Sequence, residues 1–305
     1  MWDALGDVRH YMEPFFGSGA VLLNRPNYDP TRHTETICDK DGFIANVWRA
    51  LQFDPDEVAK WADWPVNHAD LSARKRELIA NESRLLENLI ADSMWCDPKL
   101  AGYWIWAASC WIGSGLTIIG QRPHLSGRGK GVHAVGPRPH IGHRGIGVHA
   151  TRSLPIYDWF RQLQDRLRRV RVVCGDWTRI CGGDWQSNMG LVGIFFDPPY
   201  GVSDRDQNLY HCESTTVSKK VEAWCLQRGN RDDHRIVVAG YDTEYAALIE
   251  AGWRQHRWST DGGYGKISRK EKESRGQTNR HREMLLFSPH CNSSDRLVQN
   301  DLWGG

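Results

Sequence analysis

The sequence predicts an open α/β sheet interrupted by an inserted basic module, and three observations carry that prediction. Short apolar runs of strand length alternate with helical patterns at both ends of the 305-residue chain. Several of those runs end abruptly on a glycine or an acid, as strands do where the chain turns into a loop. Between the two ends, residues 98–157 contain no Asp or Glu, yet carry Lys99, Arg122, Arg128, Lys130, Arg138, Arg144 and Arg152 with five histidines among them.

Taken in order, "YMEPFFGSGAVLL" (11–23) reads as a short strand, a glycine turn and the start of a helix. "TETICDKDGFIANVWRAL" (34–51) reads as a strand ending near Cys38, then a helix whose apolar residues recur at 43, 44, 47, 48 and 51. A polar helical region rich in Glu and Arg follows to about residue 92. Strands resume with "RVRVVCGDW" (169–177), "LVGIFFDPPY" (191–200) and "HRIVVAGYD" (234–242), with helices around 155–168 and 217–227 and a last strand in "REMLLFSPH" (282–290). The expected division is 1–97, an insertion over 98–157, and 158–305. Within the insertion "RGKGVHA" (128–134) is echoed by "RGIGVHA" (144–150), two copies being too few for a solenoid. A second basic stretch, 266–282, mixes acids with bases and reads equally as a loop over a site or a solvated segment.

Composition narrows the class. With 40% hydrophobic and 25% charged residues the chain matches a globular protein, and a formal net charge of +2 means any basic surface arises by local clustering. Eight cysteines without a C-x-x-C pair fit reduced thiols in a cytoplasm, not a disulfide framework or a zinc site. "AGYWIWAASCWIGSGLTIIG" (101–120) has no charge, but its tryptophans lie inside the stretch and glycines break its second half, which favours a buried helix over a membrane span.

Two constellations carry chemistry. In "GIFFDPPYG" a buried strand runs into Asp197, Pro198, Pro199 and Tyr200. Consecutive prolines remove two N–H donors, so the turn offers acceptors, the Asp197 carboxylate and the Pro198 carbonyl, beside a flat ring. An exocyclic amine on a heterocycle matches that set, with a plain strand-ending turn as the alternative. In "EPFFGSGA", Gly17 and Gly19 either make a plain tight turn or let the backbone approach a ligand at a strand-to-helix turn, and Asp39, about 20 residues on, ends the next strand, where a carboxylate can hold ribose hydroxyls. This is the nucleoside logic of a Rossmann-like sheet. With neither G-x-G-x-x-G nor a phosphate-loop lysine, the expected cofactor is an adenosine compound without a phosphate chain, S-adenosylmethionine.

"YMEPFFGSGAVLL", "CDKDGFIANVWRAL", "CGDW" and "FFDPPYG", in that order and spread over nearly the whole chain, resemble the amino-methylating DNA methyltransferases, specifically the Dam-like adenine-specific group. The resemblance implies a Rossmann-like methyltransferase sheet. It places the methionine part of the cofactor at Glu13, Pro14, Phe15, Gly17 and Gly19, its ribose at Asp39, and its adenine near Asp176 and Trp177. It implies base flipping: the target adenine leaves a DNA duplex, stacks on Tyr200, and bonds Asp197 and the Pro198 carbonyl through its amino group. No metal is implied, and the implied setting is the cytoplasm of a bacterium or its phage. The acid-free segment becomes the expected DNA-recognition region, through Arg122, Arg128, Lys130, Arg138 and Arg144, against the plainer reading of a flexible basic insertion. The family's glycine–lysine turn ahead of the cofactor loop has no counterpart in the twelve residues before Glu13, which implies a truncated start or an incomplete cofactor site. The rivals are methylation of cytosine N4, an RNA base or a glutamine side chain, and a DNA-binding protein with a degenerate methylase core.

Overall fold

The computed structural model describes residues 1–65, 67–110, 116, 155–199, 217–241, 244–257 and 283–293. It is an α/β structure with a seven-stranded mixed sheet in the order β3-β2-β1-β4-β5-β7-β6. The strands are β1 (His10–Glu13), β2 (Thr34–Asp39), β3 (Val170–Cys174), β4 (Val192–Phe196), β5 (His234–Tyr241), β6 (Arg254–Arg257) and β7 (Glu283–Phe287). Two compact units divide the chain: Met1–Met12 groups with the described residues from Gly183 onward, and Glu13–Gly182 forms the other. This grouping cuts the chain differently from the boundaries expected at 97 and 157.

In the Glu13–Gly182 unit, β2 pairs in parallel with β3 from Glu35↔Val170 to Asp39↔Cys174. The turn after β2 leads into α3 (Gly42–Phe53), because Asp41 caps it by accepting from the Phe43 and Ile44 N–H groups at 2.8 and 3.3 Å. Ahead of β2 lies α2 (Ala20–Leu23), a single turn entered through Gly19. The expected polar helical region is two helices, α4 (Pro55–Ala62) and α5 (His68–Ala91), capped by Asp54 and Asn67 respectively. Next comes α6 (Pro98–Cys110), which buries Leu100, Ala101, Ile105, Trp106 and Ala107 and packs on α3 and α4. Its approach to α4 is close: a Cβ on Gly102 would lie 2.5 Å from Trp61 Cβ.

The first turns of the acid-free segment are therefore packed helix. Lys99, one of the basic residues of that segment, pairs with Glu77 at 3.1 Å. Buried Arg49 ties the unit together, donating to the carbonyls of Leu89, Asp92, Trp95 and Val172. The unit closes with α7 (Ile156–Leu167), which turns Trp159, Phe160, Leu163 and Leu167 inward, and with α8 (Thr178–Cys181).

In the other unit, β1 pairs in parallel with β4 (His10↔Val192 to Met12↔Ile194), and β4 with β5 (Val192↔His234 to Phe196↔Val238). β7 runs antiparallel to β5 and to β6, the polar edge of the sheet. β4 is buried at all five positions, and Phe196 meets Trp224 of α9 (Val217–Arg228) edge to face at 5.3 Å. α1 (Trp2–Leu5) is held by Arg235, which donates to the Leu5 carbonyl at 2.6 Å, and α10 (Ala246–Glu250) follows β5. Among the described residues no helix is long and apolar enough to cross a membrane, and no group of three or more His, Cys, Asp or Glu is placed to hold a metal.

Candidate active site

In an open α/β sheet, ligands sit outside the carboxyl ends of the parallel strands, where the strand order reverses. Here the order reverses between β1 and β4, adjacent parallel strands whose carboxyl ends point the same way. The first runs into the glycine turn, and the second into Asp197.

The glycine turn is built by its neighbours in the Glu13–Gly182 unit. β1 ends on buried Glu13, Pro14 is also buried, and Gly17 and Gly19 take φ of +50° and +68°, a region other residues enter at a cost. The two glycines differ. A Cβ at Gly19 would lie 2.7 Å from Phe16 and 3.0 Å from Trp48, so this glycine is required for packing. A Cβ at Gly17 would meet nothing within 4 Å, which leaves that side of the loop open to a ligand. The Gly17 peptide is gripped from both sides: its N–H donates to Asp39 Oδ2 at 2.9 Å, and its carbonyl accepts from the Trp48 indole N–H at 2.9 Å. Sequence reasoning missed this grip of Trp48 on the glycine turn, because its place in the apolar stripe of α3 reads only as core.

Asp39 is the last residue of β2, at the strand end where the sequence reading puts it. Its second oxygen accepts from the Asp41 N–H at 2.9 Å, so the carboxylate organises the loop as well as standing at the strand end. The residue as a whole is only half-buried, but protein crowds its carboxylate. Burial pushes the carboxyl up to about 6 against the pull of the Gly17 N–H, and the Asp41 charge adds to the rise. Asp41, the other acid on this turn, spends one oxygen on the cap of α3.

Beside it, the Gly175 N–H donates to the Asp39 carbonyl at 2.8 Å and carries the chain past β3 to Asp176 and Trp177. Gly175 has φ of +130°, and Asp176 Oδ1 accepts from the Thr178 N–H and hydroxyl at 3.0 and 2.6 Å. That leaves exposed Asp176 with its other oxygen unbonded among the described residues. Trp177 is buried, with its ring centroid 6.2 Å from that of half-exposed Phe15. The unit thus brings together Phe15, Gly17, Gly19, Asp39, Asp176 and Trp177, two of them aromatic rings and two of them acids.

In the other unit, β4 stops at Phe196, directly before Asp197 as the sequence suggests, and the prolines beyond it cannot extend the ladder. Asp197 is exposed directly beyond this wholly buried strand, Pro198 is buried and Pro199 is half-buried. Tyr200 lies outside the described residues, as do Arg122, Arg128, Lys130, Arg138, Arg144, Arg152 and the stretch 266–282. Beside the Asp39 loop, burial pushes the Cys174 thiol up to about 11 and the Cys38 thiol higher still. Compared with models of known protein families and with curated proteins, the chain matches none.

Proposed function

We propose that this chain is a DNA adenine N6-methyltransferase that takes its methyl group from S-adenosylmethionine. The observation that carries the proposal is the reversal of strand order between β1 and β4, with a glycine turn after one strand and Asp-Pro-Pro after the other. The residues of the Glu13–Gly182 unit fit such a donor. The open side of Gly17 admits it, the Asp39 carboxylate accepts from ribose hydroxyls, and Phe15 and Trp177 offer apolar rings for a heterocycle. Asp176 supplies the oxygen that accepts from an amino group.

The donor brings an activated methyl group on a positively charged sulfur, so the protein has little covalent work to do. Asp197 and the Pro198 carbonyl accept the two hydrogens of a target amine and so orient its nitrogen lone pair. The exposed Asp197 carboxylate also passes the proton released from the amine to solvent. An acceptor-only turn selects for an NH2 group, and the resemblance of the four motifs makes adenine the favoured base.

The reading is tested by supplying S-adenosylmethionine with a labelled methyl group to unmethylated duplex DNA, and in parallel to RNA, then identifying the labelled base. Label in N6-methyladenine of DNA supports the proposal. Label in N4-methylcytosine, in RNA or in neither replaces it with one of the rivals.

A further inference from the structure

Among the described residues of the Glu13–Gly182 unit, arginine is concentrated at the amino ends of β2 and β3, the opposite ends from Asp39 and Asp176. Arg166 lies over the Tyr28 ring at 3.9 Å and Arg25 at 5.9 Å, while Arg169 donates to the Pro30 carbonyl at 2.7 Å. All three charges act on the Tyr28 hydroxyl. One carboxylate stands among them: fully buried Glu35, which accepts from Arg25 at 3.2 Å and from Arg166 at 2.6 and 3.0 Å. Arg32, Arg168, Arg169 and Arg171 are exposed around this cluster. The only other acids in segments 25–36 and 165–171 are Asp29, turned toward Thr31, and Asp165. The side chains of Arg168 and Arg171 make no hydrogen bond or ion pair among the described residues.

Positive charge concentrated in this way repels itself unless an anion shares it. β3 is one of the sheet's two edge strands, and a lone charge there would be explained as a guard against strand addition. These arginines reach beyond the strand, however, drawing on three separate stretches: the loop before β2, the end of α7 and β3 itself. Guanidinium groups suit phosphate in particular, through paired N–H donors. Arg169 and Arg171 also lie two residues apart, about 7 Å along the chain, which spans roughly two phosphates of one DNA strand. We infer that this strip binds the phosphodiester backbone of a nucleic-acid duplex and reads no sequence. The inference does not depend on the methyl-transfer reading.

The test is binding of the full chain to labelled duplexes of several sequences, measured against salt. Wild type is compared with Arg168→Gln/Arg171→Gln, which leaves the Glu35 and Tyr28 cluster intact, and with a triple variant adding Arg169→Gln. The slope of log affinity against log salt should become shallower by about 0.9 for each phosphate no longer neutralised, so by up to about 1.8 and 2.7. The loss should be equal on every sequence, with S-adenosylmethionine affinity unchanged by calorimetry. If the triple variant fails to fold, as judged by circular dichroism, the double variant decides. An unchanged slope overturns the inference, whether or not the variant self-associates as an unguarded edge would. So does saturable inorganic-phosphate binding that the variants lose while the duplex slope stays fixed. Absence of methyl transfer by wild type would sink the proposed function and leave these slopes untouched.

Discussion

Asp39 and Asp197 each stand at the carboxyl end of a parallel strand, yet the chain treats them in opposite ways. Asp39 is crowded by protein, with one oxygen on the Gly17 N–H and the other on the Asp41 N–H. Asp197 is exposed, and the two residues behind it have no N–H to give. The first acid is built into a loop whose geometry it maintains, and the second is presented outward by a stiff turn. On the proposed reading, the first acid serves the donor and the second the amine.

The widest separation between the two acids should appear in turnover. Asp197→Ala is expected to lower methyl transfer by at least about 10²-fold, the usual contribution of a positioned acid or hydrogen-bonding group. Donor affinity and melting temperature should stay near wild type, because an exposed strand-end side chain carries little packing. Labelled-methyl kinetics beside calorimetry checks this, and retention of more than about a tenth of the activity would remove Asp197 from the chemistry.

Asp39→Ala should do the reverse and act mainly on binding. Charge-assisted hydrogen bonds are worth about 1.5–3 kcal/mol, so donor affinity should fall by roughly 10- to 150-fold. Stability should fall as well, since the Gly17 and Asp41 N–H groups lose their acceptor. Equal affinities in the two proteins would move the ribose contact elsewhere.

The raised Asp39 carboxyl sharpens the contrast through pH. Its value climbs from the ordinary 3.8 to about 6 in the folded protein. The folded state therefore holds this proton more tightly than the unfolded chain, and ionising Asp39 costs stability as pH rises between those values. Donor hydroxyls favour the charged form, so donor affinity should rise as pH increases toward about 6 and level off above it. Asp39→Asn should flatten that rise, and calorimetric titration across the range is the check.

The smallest effect belongs to Trp48. Trp48→Phe keeps a ring against Phe16 and Gly19 but removes the N–H that holds the Gly17 carbonyl. The loss should be about 1 kcal/mol, an ordinary hydrogen bond. Loosening of the glycine turn should then appear as a several-fold higher KM for the donor with kcat little changed.

Much of this was legible in the sequence, for identifiable reasons. Buried parallel strands read as unbroken apolar runs, so β4 and β5 stood out, and the helix after β2 declared itself through the stripe from Phe43 to Leu51. Three features did not. β6 is the four residues Arg254–Arg257, all polar and none fully buried, and no hydrophobic pattern marks it. The start of the acid-free stretch gave two signals: its uncharged run reads as a buried helix, and Leu100, Ala101 and Trp106 are core, yet its lack of acids grouped it with the insertion from residue 98. A run without acids reports charge and not burial. In the site, glycines and acids at strand ends were readable as types, but the grip of Trp48 and Asp39 on the Gly17 peptide was not. Those partners lie 31 and 22 residues from it and meet only when α3 and β2 fold against the loop.

The central claim is that one acid holds the donor's side of the reaction while the other meets the amine. Its most direct test is a single comparison with saturating labelled S-adenosylmethionine and unmethylated duplex DNA. Wild type and Asp197→Ala are followed for donor binding and for label in N6-methyladenine. The account predicts equal donor binding by both proteins, with label in adenine from wild type and at least about 10²-fold less from the variant. Donor binding lost together with transfer in the variant, or wild-type label on any group other than the adenine amine, would contradict it.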